Sequence, residues 1–155
     1  MHGRFWRWLG LGLVVSSCAP TTPLPSPGGP VADVTDVVVD GNLFSVTLRS
    51  DDTGCDQYAD WWEVLDATDG TLLGRRILGH SHTLLNGSGN PFTRSADIVV
   101  DGDTELVIRG HMNPNGYGGQ IMGGSVANGF RIVDVDPTFA SGVDEVAPLP
   151  TGCAF

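Results

Sequence analysis

Three Asp-Gly pairs punctuate the chain, and each sits between short runs rich in β-branched and large apolar residues. Asp40-Gly41 separates Asp36-Val37-Val38-Val39 from the alternating Leu43-Phe44-Ser45-Val46-Thr47-Leu48. Asp69-Gly70 separates Trp61-Trp62-Glu63-Val64-Leu65 from Leu72-Leu73-Gly74-Arg75-Arg76-Ile77-Leu78, and Asp101-Gly102 separates Ile98-Val99-Val100 from Leu106-Val107-Ile108. Asp and Gly both tolerate the positive φ of a tight hairpin turn, so each pair predicts two antiparallel strands joined locally. Further strands are expected around Gln120 to Val126 and Phe130 to Val135. No stretch carries a helical apolar period beyond a turn or two. The predicted class is all-β: an antiparallel sandwich of about seven strands.

In strand pattern such a sandwich is similar to immunoglobulin and fibronectin type III domains.

The N-terminus is of another kind. Arg4 and Arg7 precede the apolar run Trp8-Leu9-Gly10-Leu11-Gly12-Leu13-Val14-Val15, which falls short of the ~20 apolar residues that span a bilayer but suits a secretory signal. Val15-Ser16-Ser17-Cys18 at its end resembles the lipobox of bacterial lipoproteins. The resemblance implies cleavage after residue 17, acylation of Cys18 and attachment to a membrane of the cell envelope, with Ala19 after the cysteine implying the outer membrane. Residues 18–30 carry five prolines and little that could pack, and they read as an extended spacer. Residues 31–155 then form one domain, closed by a Pro-containing tail from Val146 to Gly152 that lies extended along it.

With Cys18 lipidated, Cys55 and Cys153 remain as an even pair in an oxidising compartment, where a disulfide is the expected state; free thiols or a metal pair are the alternative. Composition narrows the chemistry. The formal charge is −10 and all eight basic residues are arginine. That balance argues against nucleic-acid partners, and the lack of lysine excludes a P-loop lysine, a Schiff base and a lysine general base.

Three histidines follow the signal region. His80-Ser81-His82 places two rings on one face of an extended segment, and His111 ends the run from Leu106. If the strand Tyr58–Leu65 pairs with both Leu72–Leu78 and Leu106–His111, the outer two are parallel and end at the same edge, ~9.6 Å apart. Three imidazoles there would suit Zn or Cu, with Met112 and Met122 favouring copper. A second candidate is a sugar-stacking site: adjacent Trp61 and Trp62 must point to opposite faces of a strand, and Trp62 with Tyr58, Asp60 and Tyr117 would line a ligand surface. Asp60 and Glu63 face opposite ways on a strand and make a poor acid–base pair. Arg94 reads as a structural ion pair. The expected function is a lipid-anchored envelope module, non-enzymatic, binding a protein or glycan partner, with a three-histidine metal protein as the alternative.

Overall fold

The computed structural model describes residues 29–83 and 90–154. The expected signal segment 1–17, the cysteine expected to be acylated, Cys18, and most of the expected spacer lie outside the described residues. Eight strands are present: β1 (Ala32–Asp40), β2 (Leu43–Ser50), β3 (Tyr58–Asp66), β4 (Leu72–Ile77), β5 (Phe92–Asp97), β6 (Leu106–Asn113), β7 (Ile121–Ser125) and β8 (Gly129–Val133). They form two antiparallel sheets, ordered β1-β2-β5 and β4-β3-β6-β7-β8. The sheets pack face to face as a sandwich, so the predicted fold class holds.

Two of the three Asp-Gly pairs make their hairpins. Asp40 faces Leu43 across the β1–β2 turn, and Leu65 faces Leu72 across the β3–β4 turn, with Gly41 and Gly70 at φ 59° and 75°. The third pair does not. Ile98 to Val100 are not a strand, because β5 ends at Asp97 in the three-stranded sheet while β6 begins at Leu106 in the five-stranded one. Asp101-Gly102 is therefore part of a crossover between the sheets. A two-residue turn needs both flanks in one ladder, and here the flanks pair elsewhere, β5 with β2 and β6 with β3 and β7.

The core between the sheets is built from alternate residues of β2, Phe44, Val46 and Leu48, against Trp62, Val64, Ile108 and Met112 of the other sheet. Strand β3 does not alternate in burial: every residue from Tyr58 to Leu65 is buried. The reason is a second apolar layer on the outer face of the five-stranded sheet, where Leu65 and Val107 meet Val143, Phe139 and Ala140 of the C-terminal segment. A strand covered on both faces loses the period-2 signature.

The start of β1 crosses closely over the loop before β7. Val34 N–H donates to Gln120 O at 2.9 Å, and Gln120 Nε2 returns to Val34 O at 2.8 Å. A Cβ at Gly119 would drive into the carbonyl of Ala32, and one at Gly110 would meet the same oxygen at 2.8 Å. Neither glycine has positive φ, so the constraint is contact and not conformation. Gly119→Ala is expected to destabilise the domain by about 1–3 kcal/mol, the usual range for overpacking. A shift of the urea midpoint without change in slope is the readout; an unchanged midpoint would show that β1 can move away freely.

Candidate functional site

The histidines come first because the sequence placed most chemistry on them. The pairing assumed for them is the observed one: β3 lies between β4 and β6, and Trp61 is level with both Ile77 and His111. The three rings nevertheless do not converge. After β4 the chain turns away toward the three-stranded sheet, and His82 stacks on Phe92 of β5 at 3.5 Å between centroids. Arg94 Nη2 lies 2.9 Å from His82 Nε2. Arginine can only donate, so Nε2 is the acceptor and is not open to a metal. His80 is exposed, 4.5 Å from the His82 ring, and burial together with the charges of His82 and Arg94 lowers its pKa. His111 belongs to a different group altogether. Among the described residues no three His, Cys, Asp or Glu side chains are arranged to hold a metal ion. The expected three-histidine centre is thus corrected, and so is the role foreseen for Met112 and Met122, which fill the core at 0% and 8% exposure.

Around His82 the organising group is Asp52, which accepts the backbone N–H of Ala59 at 2.8 Å and of His82 at 2.6 Å. Burial alone would raise its pKa, but the bonds from His82 and Ala59 outweigh that and hold it below the usual carboxylate value. Arg94 takes His82 and the Thr93 carbonyl as partners, and no carboxylate, so its expected ion pair is not formed among the described residues.

The second group occupies the outer face of the five-stranded sheet. The two tryptophans do point to opposite faces, but in the sense opposite to the one assigned: Trp62 is fully buried in the core, and Trp61 is on the outer face. Trp62 therefore cannot line a ligand surface. Trp61 offers no platform either. It is 4% exposed, stacked by the His111 ring at 3.6 Å, with the Arg75 guanidinium 4.5 Å from its centroid. Tyr117 is also occupied, carrying the Arg109 guanidinium 3.5 Å above its ring. Asp60 is buried and accepts His111 Nδ1–H at 2.6 Å, while Tyr58 is buried at the start of β3. Of the four candidates, only Asp60 and Tyr117 join this group, and they do so through His111 and Trp61.

At its centre is Glu63, fully buried, which the sequence offered only as half of a poor acid–base pair with Asp60. Its Oε2 accepts from Arg75 Nε at 2.9 Å and Nη2 at 2.5 Å, and its Oε1 accepts from Arg109 Nε at 2.9 Å. Trp61 Nε1–H reaches Glu63 Oε2 at 3.2 Å and the Tyr117 hydroxyl at 3.3 Å. Burial, followed by the Glu63 charge, pushes the Tyr117 phenol well above its usual pKa. The arginines then hold the C-terminal segment by its backbone: Arg75 donates to the carbonyls of Val143, Val146 and Pro148, and Arg109 to that of Phe139. One signal could have exposed this group. Glu63 faces Arg75 on β4 and Arg109 on β6, so three charged residues share one cross-strand row once the register is known.

Disulfide Cys55–Cys153 closes the same end of the sheet, with Cα atoms 5.5 Å apart, as the cysteine count predicts. Beside this group, a cleft of about 580 Å³ opens between the edge of the three-stranded sheet and the β6–β8 side of the other. Arg109, Tyr117 and Gln120 line it together with Asp33, Arg49, Ile121 and Ile132.

No family model matches the chain. A protein of Halomicrobium mukohataei described as "Putative lipoprotein" is 54% identical to it over 80 residues, which is 51% of this chain and 37% of that protein. The matched part thus spans little more than a third of the relative's length.

Proposed function

We propose that this chain is a lipid-anchored module of the cell envelope whose β-sandwich works by binding rather than by catalysis. The anchoring half of the reading is supported by the lipoprotein description of the relative together with Val15-Ser16-Ser17-Cys18. Among the described residues no helix is long and apolar enough to cross a membrane. In this reading the lipid on Cys18 is the attachment. Acyl chains add ~0.8 kcal/mol per buried methylene, and two or more make a stable anchor. The immunoglobulin or fibronectin type III character of the sandwich belongs to the same proposal.

The observation that carries the binding half is how the acid–base side chains are used. His111 and Asp60 are bonded to each other and the ring is pressed on Trp61; Glu63 is closed in by two guanidinia. Among the described residues no hydroxyl or thiol is hydrogen-bonded to His111 Nε2, as an activated nucleophile would be. The cleft falls within the volume range of small-molecule sites, ~300–1,000 Å³. Cys18→Ser is expected to abolish palmitate labelling and to move the chain from the membrane fraction to the soluble one. Continued membrane retention of the serine variant would overturn the anchor.

A further inference from the structure

Arg109 is the part of the outer-face group whose bonding is incomplete. Its Nε is taken by Glu63 and its Nη1 by the Phe139 carbonyl at 3.2 Å, but Nη2 has no acceptor among the described residues although it is shut from bulk water. A buried guanidinium nitrogen without a partner is unfavourable, and such groups in native proteins call for an explanation. The charge balance points the same way. Glu63, Arg75 and Arg109 bring one negative and two positive charges together, with side chains exposed by 0%, 0% and 6%. Asp60, the next carboxylate on β3, is bonded to His111. The exposed 6% of Arg109 opens into the cleft.

None of the described acids along the cleft bonds to Arg109. Asp33 is paired with Arg49 at 2.6 Å and also accepts the Gln120 N–H at 2.7 Å. Asp136 is turned onto Thr138, accepting its N–H at 2.8 Å and its hydroxyl at 2.6 Å. Asp134 is exposed at the rim. Arg49, the partner of Asp33, keeps a side chain 67% exposed at the rim. Ile121, Ile132, Val135 and Pro137 supply the apolar part of the remaining wall.

We propose that this cleft binds a carboxylate on an apolar body, a small turn of the Arg109 guanidinium bringing its buried Nη2 to the carboxylate and the body lying against Ile121, Ile132 and Val135. A guanidinium suits that anion because it keeps its charge at any accessible pH and its N–H donors make charge-assisted hydrogen bonds to carboxylate oxygens. The inference gives a ligand class to the binding module proposed above and rests on that reading. It is independent of the anchor, which the Cys18→Ser fractionation tests separately.

The test uses the full chain carrying Cys18→Ser, so that no detergent is needed, with sodium hexanoate, hexanamide and inorganic phosphate as probes. The expected result is a saturable shift of the Arg109 side-chain ¹⁵N signals with hexanoate, and binding of hexanamide weaker by about tenfold or more. Ile132→Trp, at a rim position 63% exposed, is expected to fill the cleft and weaken hexanoate about tenfold while the fold stays intact. Arg109→Gln should remove the binding, but it also disturbs Glu63, so the rim variant decides. Lack of saturation by about 10 mM hexanoate, equal binding of the amide, binding of phosphate as tight as hexanoate, or indifference to Ile132→Trp would each overturn the proposal.

Discussion

Glu63→Gln is expected to destabilise the domain by about 3–5 kcal/mol, the usual cost of removing one partner from a buried ion pair. The side chain keeps its size and loses its charge, which leaves Arg75 and Arg109 facing each other in a site with 0% and 6% side-chain exposure. Two guanidinia closed off without a counter-charge cannot relax by deprotonation, because arginine holds its proton throughout the accessible pH range. The C-terminal segment should loosen at the same time, since the same guanidinia hold the carbonyls of Phe139, Val143, Val146 and Pro148. Urea unfolding followed by Trp fluorescence measures the first effect, and amide exchange across residues 139–148 the second. Combining Glu63→Leu with Arg75→Met and Arg109→Met is expected to recover part of the loss and not all of it. The buried charges vanish together, but the segment's carbonyls lose their donors. Full recovery would mean that the arginines contribute nothing to docking that segment.

Replacing Cys55 and Cys153 together by alanine is expected to lower stability by about 4–5 kcal/mol, the chain-entropy value for a closed loop of this length. The bridge spans 98 residues, so in the unfolded chain it links positions that would otherwise be far apart. Its loss should also be felt locally. Between Val143 and Cys153 only Val143 is buried, while Val146 and Leu149 are 46% and 43% exposed. That stretch is therefore tied by Arg75, by Ala154 N–H to Gly79 O at 2.7 Å, and by the disulfide, with little apolar burial of its own. Either replacement removes a large fraction of the ~5–15 kcal/mol by which domains of this size are stable. Comparing urea midpoints of the double variant and the oxidised chain is the measurement, with mass spectrometry confirming the bridge by its two hydrogens. A midpoint that is unchanged would show the loop to be closed just as well by Arg75 alone.

The parts of this fold that could be read from sequence are those set by neighbours along the chain. Asp40-Gly41 and Asp69-Gly70 make hairpins because turn chemistry and flanking strand propensity are local properties. The opposed faces of Trp61 and Trp62 follow from the two-residue period of any strand. With Cys18 set aside for the expected lipid, cysteine parity in an oxidising compartment pairs Cys55 with Cys153, as the structure has it. The same reasoning stopped at Asp101-Gly102, where an equally good turn signal serves a crossover, because the competing ladders that claim β5 and β6 lie far away in sequence.

What only the tertiary structure decided is direction and company. Sequence period says that the two tryptophans diverge, but which one enters the core depends on which face of β3 meets the other sheet. Strand pairing brings His111 level with the end of β4, yet the packing of His82 on Phe92 sends the other two rings elsewhere. Glu63, Arg75 and Arg109 lie in three strands, and they become one buried charge group only when registry aligns them and the C-terminal segment closes over them. Turn type, strand period and cysteine parity are short-range and survive in any arrangement of the sheets. Burial on a second face and the meeting of charges from distant strands are produced by the global packing that the local signals do not contain.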